Sequence, residues 1–365
     1  MGKKIFFTVT NDLVHDQRMQ RICGSLAAAG YEITLVGRKR PSSLPIPVGG
    51  AYSCRRFRCW FNRGKLFYFE YNLRLVFWLL GQRMDAICAI DLDTIIPCYF
   101  ISRVKKIPRI YDAHELFSEL KEVVTRPGIK RIWTRVERRY VPKFSNGYTV
   151  SDSIADEFQR RYGVGYQTIR NVPVLREIPS VSPGERFILY QGAVNEGRGF
   201  EFLIPAMKRV ECKLVVCGDG NFMEKLRELV RVHGLENRVE LRGMVSPDKL
   251  REISAFAYAA VAIAENTGLN QYLALPNKFF DYIHSGLPQV TMDYPEYRNL
   301  NGLFEVALLI GDTDPVTISG ALNKLLGDDV LYERLRANCH RARRLLNWQE
   351  EEKKLISYYK SILGT

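Results

Sequence analysis

The chain has 365 residues, 46% hydrophobic and 25% charged. At roughly 150 residues per domain this gives about two domains, each with its own core, and excludes a peptide, a lone binding module and a disulfide miniprotein. The formal charge of +13 is uneven: residues 1–173 carry 29 Lys and Arg against 15 Asp and Glu, and residues 174–365 carry 24 against 25. Any attraction for the phosphates of a membrane surface, a polyanion or an anionic substrate therefore belongs to the first half.

In chain order, "KIFFTVT" (3–9) predicts a buried strand, and "DQRMQRICGSLAAAG" (16–30) a helix that buries Met19, Ile22 and Leu26 and stops at Gly30. Strands follow at 31–37, 51–57, 86–90, 108–115 and 147–151, with helices around 68–80 and over 128–141. Short β-rich runs alternating with helical patterns are the signature of parallel βαβ units. Pro173, Pro179 and Pro183 interrupt the segment 170–186 and place the linker there. Beyond it the alternation restarts, with strands at 186–192, 212–220, 238–243, 259–265 and 287–293 and helices at 198–210, 221–234, 247–257 and 276–286. The expected fold class is α/β: two Rossmann-like doubly wound domains facing a cleft, where the open-sheet rule puts ligands.

The eight cysteines include no C-x-x-C pair and sit in apolar runs such as "KLVVC", as buried free thiols in a reducing compartment do. The first residues lack the apolar length of a signal peptide, and the greasiest stretch, 66–80, is interrupted by Glu70 and Arg74 and is too short to span a bilayer. A cytoplasmic location is expected. No phosphate-binding P-loop and no dinucleotide fingerprint is present, which removes NTPase and NAD readings.

Two segments point to phosphate and sugar chemistry. In "YQGAVNEGRGFEFL" a strand ends before Gly192, Gly197 and Gly199, which surround Arg198 ahead of a helix. Glycines let backbone approach an anion, and Arg198 adds a forked cation. In "ALPNKFFDYIHSGLPQV" a helix opens at Pro276 or Asn277, and Asp281 lies one turn in, where its carboxylate can accept from two adjacent sugar hydroxyls; Lys278 adds a charge. Taken singly, the first segment also reads as a tight turn and the second as an ordinary amphipathic helix. His114 and Glu115 follow a strand end, and a neutral His114 is expected to donate to a sugar hydroxyl or stabilise departing phosphate. Asn11, Asp12, His15, Asp16 and Arg18 form the first loop and are assigned to acceptor contact.

Together with "IYDAHELF" (110–117), "YTVSDSIADEF" (148–158), "IRNVP" (169–173), "VVCGDG" (215–220) and "VELRGMVSPDKL" (239–250), these segments resemble retaining glycosyltransferase family 4, of GT-B fold, over nearly the whole chain. The resemblance implies an acceptor domain at 1–172, a nucleotide-sugar domain at 173–346 and a final helix at 347–365 that crosses back to the first domain. It implies that Arg198 takes the place of the diphosphate-binding lysine, Asp281 that of the ribose-holding glutamate, and His114 that of the histidine near the donor sugar. Gly192, Gly218, Asn277 and Lys278 join the donor site, and main-chain groups of Gly243, Met244 and Val245 meet the base. Neither metal nor cofactor is implied. "DLD" at Asp91 to Asp93 resembles the metal-binding D-x-D of GT-A-type glycosyltransferases but is read as loop structure. The expected partners are a nucleotide-sugar donor and a glycan or lipid-linked acceptor in polysaccharide or lipid-linked glycan assembly.

Two departures, Ala193 for an arginine and Leu273 for the first glutamate of an E-x7-E pair, leave a catalytically lapsed scaffold as the alternative. Polyanion binding ranks last, because no nucleic-acid module is recognised. The basic run Arg55, Arg56, Arg58, Arg63 and Lys65, interleaved with Phe57, Trp60, Phe61, Phe67 and Tyr68, is expected to lie peripherally against an anionic membrane leaflet.

Overall fold

The computed structural model describes residues 2–14, 16–46, 49–179 and 185–364. It divides into two compact units, Met1–Asn171 with Glu350–Thr365, and Val172–Gln349. Of the 170–186 linker segment, residues 180–184 lie outside the described residues.

The first unit is built on seven parallel strands, β1 (Lys4–Thr8), β2 (Glu32–Lys39), β3 (Ser53–Arg58), β4 (Ala86–Ile90), β5 (Arg109–Ala113), β6 (Asn146–Thr149) and β7 (Gln167–Thr168), in the order β3-β2-β1-β4-β5-β6-β7. The central strands are apolar on both faces because helices cover both. On β1, Phe6 meets Trp78 of helix Gly64–Leu80 at 5.8 Å, while Phe7 meets Tyr359 of helix Trp348–Leu363 at 5.9 Å on the other side. Right-handed crossovers sort the helices. Gln17–Ala28 carries the chain from β1 out to β2. Gly64–Leu80, Ile95–Lys105 and Pro127–Tyr140 carry it the opposite way, from β3 to β4, β4 to β5 and β5 to β6. These three therefore share the face toward which Phe6 points.

The final helix joins Gln17–Ala28 on the other face. Ser25 Oγ donates to Glu352 at 2.7 Å, Tyr358 Oη donates to the Gly147 carbonyl at 3.1 Å, and Glu351 accepts from the Arg170 amide at 2.9 Å. Leu355 and Tyr359 are wholly buried there.

The second unit has six parallel strands, β8 (Phe187–Gln191), β9 (Lys213–Cys217), β10 (Val239–Gly243), β11 (Ala259–Ala262), β12 (Gln289–Met292) and β13 (Ala307–Ile310), in the order β10-β9-β8-β11-β12-β13. The unit extends past the last predicted strand with helix Pro295–Phe304, β13 and helices Pro315–Gly327 and Asp329–Ala342. In the first unit, Ile95–Lys105, Asp152–Tyr162 and the two-residue β7 were likewise not predicted. All eight cysteines are free, and all but Cys54 are buried. No helix among the described residues is long and apolar enough to cross a membrane.

Each sheet reverses its winding once, between β1 and β4 and between β8 and β11. The carboxyl ends of those strand pairs are the crevices where open α/β sheets hold ligands.

Candidate active site

In the second unit the crevice is shaped by three glycines at the ends of β8, β9 and β10. The Gly192 amide donates to the Cys217 carbonyl at 2.9 Å, and the Gly218 amide to the Gly243 carbonyl at 2.8 Å. A Cβ on Gly218 would lie 1.8 Å from the Gly192 oxygen, so only glycine fits where these backbones converge. Arg198 follows in the half-buried loop after Gly192. The α-helix that begins after Gly199 is only seven residues long, Phe200–Ala206, with Pro205 inside it. Side-chain charge is therefore the larger anion-binding feature of this loop.

Helix Asn277–His284 stands beside β8, fixed by Tyr282, whose hydroxyl accepts from the Gln191 amide at 2.9 Å and donates to the Val261 carbonyl at 3.3 Å. Its first turn brings the Lys278 ammonium 3.7 Å from the Tyr190 ring centroid. Burial, and then Arg198 close by, push the Lys278 pKa well below the ordinary lysine value; Asp281 opposes this only in part. Asp281 accepts from Gln191 Nε2 at 2.9 Å, and Gln191 Oε1 accepts from Ser254 Oγ at 3.3 Å. The structure thus gathers Gly192, Gly218, Arg198, Lys278 and Asp281 around one strand-end crevice and adds Gln191, Ser254 and Tyr190, which sequence reasoning missed. Asn277 is exposed at the same helix start. Gly243, Met244 and Val245 follow β10; Met244 is 78% exposed and Val245 half-buried. Ala193 is exposed and Leu273 half-buried in helix Leu269–Leu273.

In the first unit His114 lies just past β5. Its Nε2 is 3.1 Å from Asp112 Oδ2, its Nδ1 is 3.6 Å from Asp91 Oδ2, and its amide donates to Asp91 Oδ1 at 2.9 Å. Burial alone would lower the imidazole pKa, but the Asp112 and Asp91 carboxylates outweigh it and raise it to about 9. The expectation of a neutral His114 is therefore corrected: at neutral pH it is an imidazolium. Asp112 is two residues earlier, hence on the same side of the strand, a spacing signal the sequence reading left unused. Burial raises the Asp91 pKa to about 6 and that of Asp93 to about 7, even though Asp93 accepts from Thr10 Oγ1 at 2.6 Å. Glu115, next to His114, is half-buried.

Arg18 is a second correction. It belongs to helix Gln17–Ala28, not to the first loop, and is only 4% exposed; its guanidinium donates to Asp112 Oδ1 at 2.9 Å and to the Ile169 carbonyl at 3.1 Å. It holds Asp112 and cannot reach an acceptor. Among its companions, Asp16 caps that helix by accepting from the Met19 amide at 3.0 Å and also accepts from Asn11 Nδ2 at 2.7 Å. Asp12 pairs with Arg56 at 2.9 Å. His15 lies outside the described residues.

Two α/β units of parallel sheet, each with polar groups at its switch point, define a glycosyltransferase of the GT-B class. The chain belongs to the family 4 and group 1 glycosyltransferases: residues 17–173 match the family model described as Glycosyltransferase Family 4, and residues 185–328 the one described as Glycosyl transferases group 1. It is 23% identical over 343 residues to the alpha-D-kanosaminyltransferase of Streptomyces kanamyceticus, covering 85% of this chain and 84% of that one. Its fold is similar to the sucrose-phosphate synthase of Thermosynechococcus elongatus, with a TM-score of 0.84 at 17% identity over 99% of both chains. It is also similar to Anabaena HepE in complex with UDP and glucose, with a TM-score of 0.74 at 13% identity over 98% of this chain and 100% of that one.

Proposed function

We propose that the chain is a retaining hexosyltransferase that moves a sugar from a nucleoside-diphosphate sugar to the hydroxyl of a glycan or lipid-linked acceptor, without metal or cofactor. The donor is assigned to the second unit and the acceptor to the first. One observation carries this reading: Arg198 and Lys278 are two basic side chains close together at a switch point, where Arg198 disfavours the charge on Lys278 and Asp281 offers only one carboxylate against them. A diphosphate brings the further negative charge that relieves their repulsion, and the two side chains then do the neutralising that a divalent cation would otherwise do. Asp281, oriented by Gln191, suits adjacent ribose hydroxyls. The UDP and glucose held by HepE make a nucleotide sugar the first ligand to try.

In a retaining transfer the acceptor oxygen bonds to the anomeric carbon on the face that the diphosphate leaves. The bond from that carbon to the phosphate oxygen breaks, and the acceptor proton passes to the departing phosphate. Within the first unit, an imidazolium at His114 is a charged hydrogen-bond donor of the kind that suits an oxygen gaining negative charge.

Arg198→Ala is expected to weaken binding of nucleoside diphosphate by about 10- to 100-fold, the range of a lost charge-assisted contact, with unfolding unchanged. Calorimetric titration with UDP, GDP and ADP decides. Equal affinities for wild type and variant would remove the phosphate assignment.

A further inference from the structure

We propose that the outer face of three neighbouring crossover helices in the first unit docks on an anionic lipid bilayer. The proposal does not depend on the donor site.

Helix Gly64–Leu80 turns Phe67, Tyr71, Leu75 and Leu79 inward. It turns Leu66, Phe69, Leu73, Phe77 and Leu80 outward, at exposures from 44% to 69%. Spacings of three and four residues put these five on one stripe. Scattered surface hydrophobics are normal, but a continuous row on one helix face marks an interaction surface. The next helix, Ile95–Lys105, continues the apolar surface with Phe100 at 50% and Val104 at 67% exposure, beside exposed Arg103. The third, Pro127–Tyr140, presents Arg131, Arg135 and Arg138 at i, i+4 and i+7, with Arg139 alongside. These four arginines line an open hollow of about 480 Å³, and none forms an ion pair among the described residues.

The helices form one layer. Tyr68 of the first meets Trp133 of the third edge-on at 5.3 Å, Tyr99 of the second meets Tyr140 of the third at 5.3 Å, and their common crossover direction puts all three on one side of the sheet.

The chemistry of the layer selects its occupant. A second copy of this chain would cover the apolar row but bring the same arginines, leaving them without counter-charge. A nucleic acid would neutralise the arginines and leave Phe69 and Phe77 facing water. An anionic bilayer satisfies both, with the row at the headgroup–acyl boundary and the guanidiniums at lipid phosphates. The helix lies in the surface rather than across it. Of its two charged residues in the middle, Glu70 turns toward the protein, accepting from the Trp60 and Phe61 amides at 3.0 and 2.9 Å, and half-buried Arg74 is neutralised by donating to it at 2.8 Å.

This also corrects the membrane expectation drawn from residues 55–68. There Arg56 is taken by Asp12 and Phe67 is buried, while Arg55, Arg58, Arg63 and Lys65 are exposed together with Trp60, 82% exposed, and Phe61, 45% exposed, just before and at the start of the helical stripe.

The test is cosedimentation of the full chain with vesicles of phosphatidylcholine alone or mixed equally with phosphatidylglycerol, at low and high salt. Two variants are compared, Phe69→Ser with Phe77→Ser, and Arg131→Glu with Arg135→Glu and Arg138→Glu; all five side chains are exposed, so the fold is retained. At low salt the wild type is expected to bind mixed vesicles more than tenfold better than neutral ones. Each variant should lose at least tenfold, and high salt should release the wild type. Equal binding to both vesicles, binding to neither, or wild-type binding by either variant overturns the proposal. So does a dimer in analytical ultracentrifugation that is lost in the phenylalanine variant while no vesicle binds, which would assign the stripe to a second copy.

Discussion

Lys278 reports directly on the charge environment of the second-unit crevice. Burial and Arg198 favour its neutral form, so it loses its proton at lower pH than an exposed lysine. Affinity for nucleoside diphosphate is expected to fall with rising pH earlier than the titration of an exposed lysine would bring it down, and Lys278→Arg, which keeps its proton throughout, should flatten that fall. Calorimetry at a series of pH values tests this; a wild-type affinity that does not change with pH would contradict it. Asp93 makes a second prediction, on stability. Its folded pKa of about 7 exceeds the unfolded 3.8, so its contribution is full below 3.8 and is lost as pH rises through about 7. Asp91, at about 6, acts in the same direction. His114 keeps its contribution below 6.5 and loses it as pH rises through about 9. The first unit should therefore lose stability from about pH 4 to about pH 9. Asp93→Asn still accepts from Thr10 and removes the buried charge, so above pH 7 it should stabilise by on the order of 1–3 kcal/mol and flatten the profile. Urea unfolding at pH 5 and pH 8 should show this, and parallel shifts at both values would refute it. These protonation states were not legible in the sequence. Local spacing shows Asp112 and His114 on one strand, but not that Arg18 arrives from 94 residues away to share Asp112.

At the scale of elements, strand identity was largely readable, because apolar runs such as "KIFFTVT" and "KLVVC" end at polar or glycine positions that stop a buried strand. Helix Gly64–Leu80 was readable as a helix, but the division of its apolar residues between core and solvent was not, since both sets are equally greasy and only the neighbouring helices decide which row is covered. Between residue 293 and the final helix the elements were missed: β13, for one, is four residues long, too short for a periodicity argument. The tightest backbone feature yields a sharp prediction. Gly218→Ala places a methyl against the Gly192 carbonyl and must force the ends of β8 and β9 apart. An overpacking cost of about 1–3 kcal/mol in the second unit is expected, together with loss of diphosphate binding. Unfolding and titration of the same sample check it, and wild-type behaviour in both would show that the strand ends yield freely.

For the molecule as a whole, one chain folds into two units of the same doubly wound plan, and the last sixteen residues, Glu350–Thr365, belong to the first. Tyr359 explains that assignment physically, being wholly buried with its ring 5.9 Å from Phe7 and 6.3 Å from Tyr148. With Ala193 and Leu273 at two positions where the family resemblance implies charged residues, the proposed phosphate grip falls to Arg198 and Lys278, so the central claim is that this pair suffices for turnover. The direct measurement is release of nucleoside diphosphate from UDP-, GDP- and ADP-sugars offered with a range of hydroxyl acceptors, with and without a chelator. The account predicts release from at least one donor, unchanged by the chelator and lost in Arg198→Ala. No release from any donor by folded wild-type chain, or release abolished by the chelator, would contradict it.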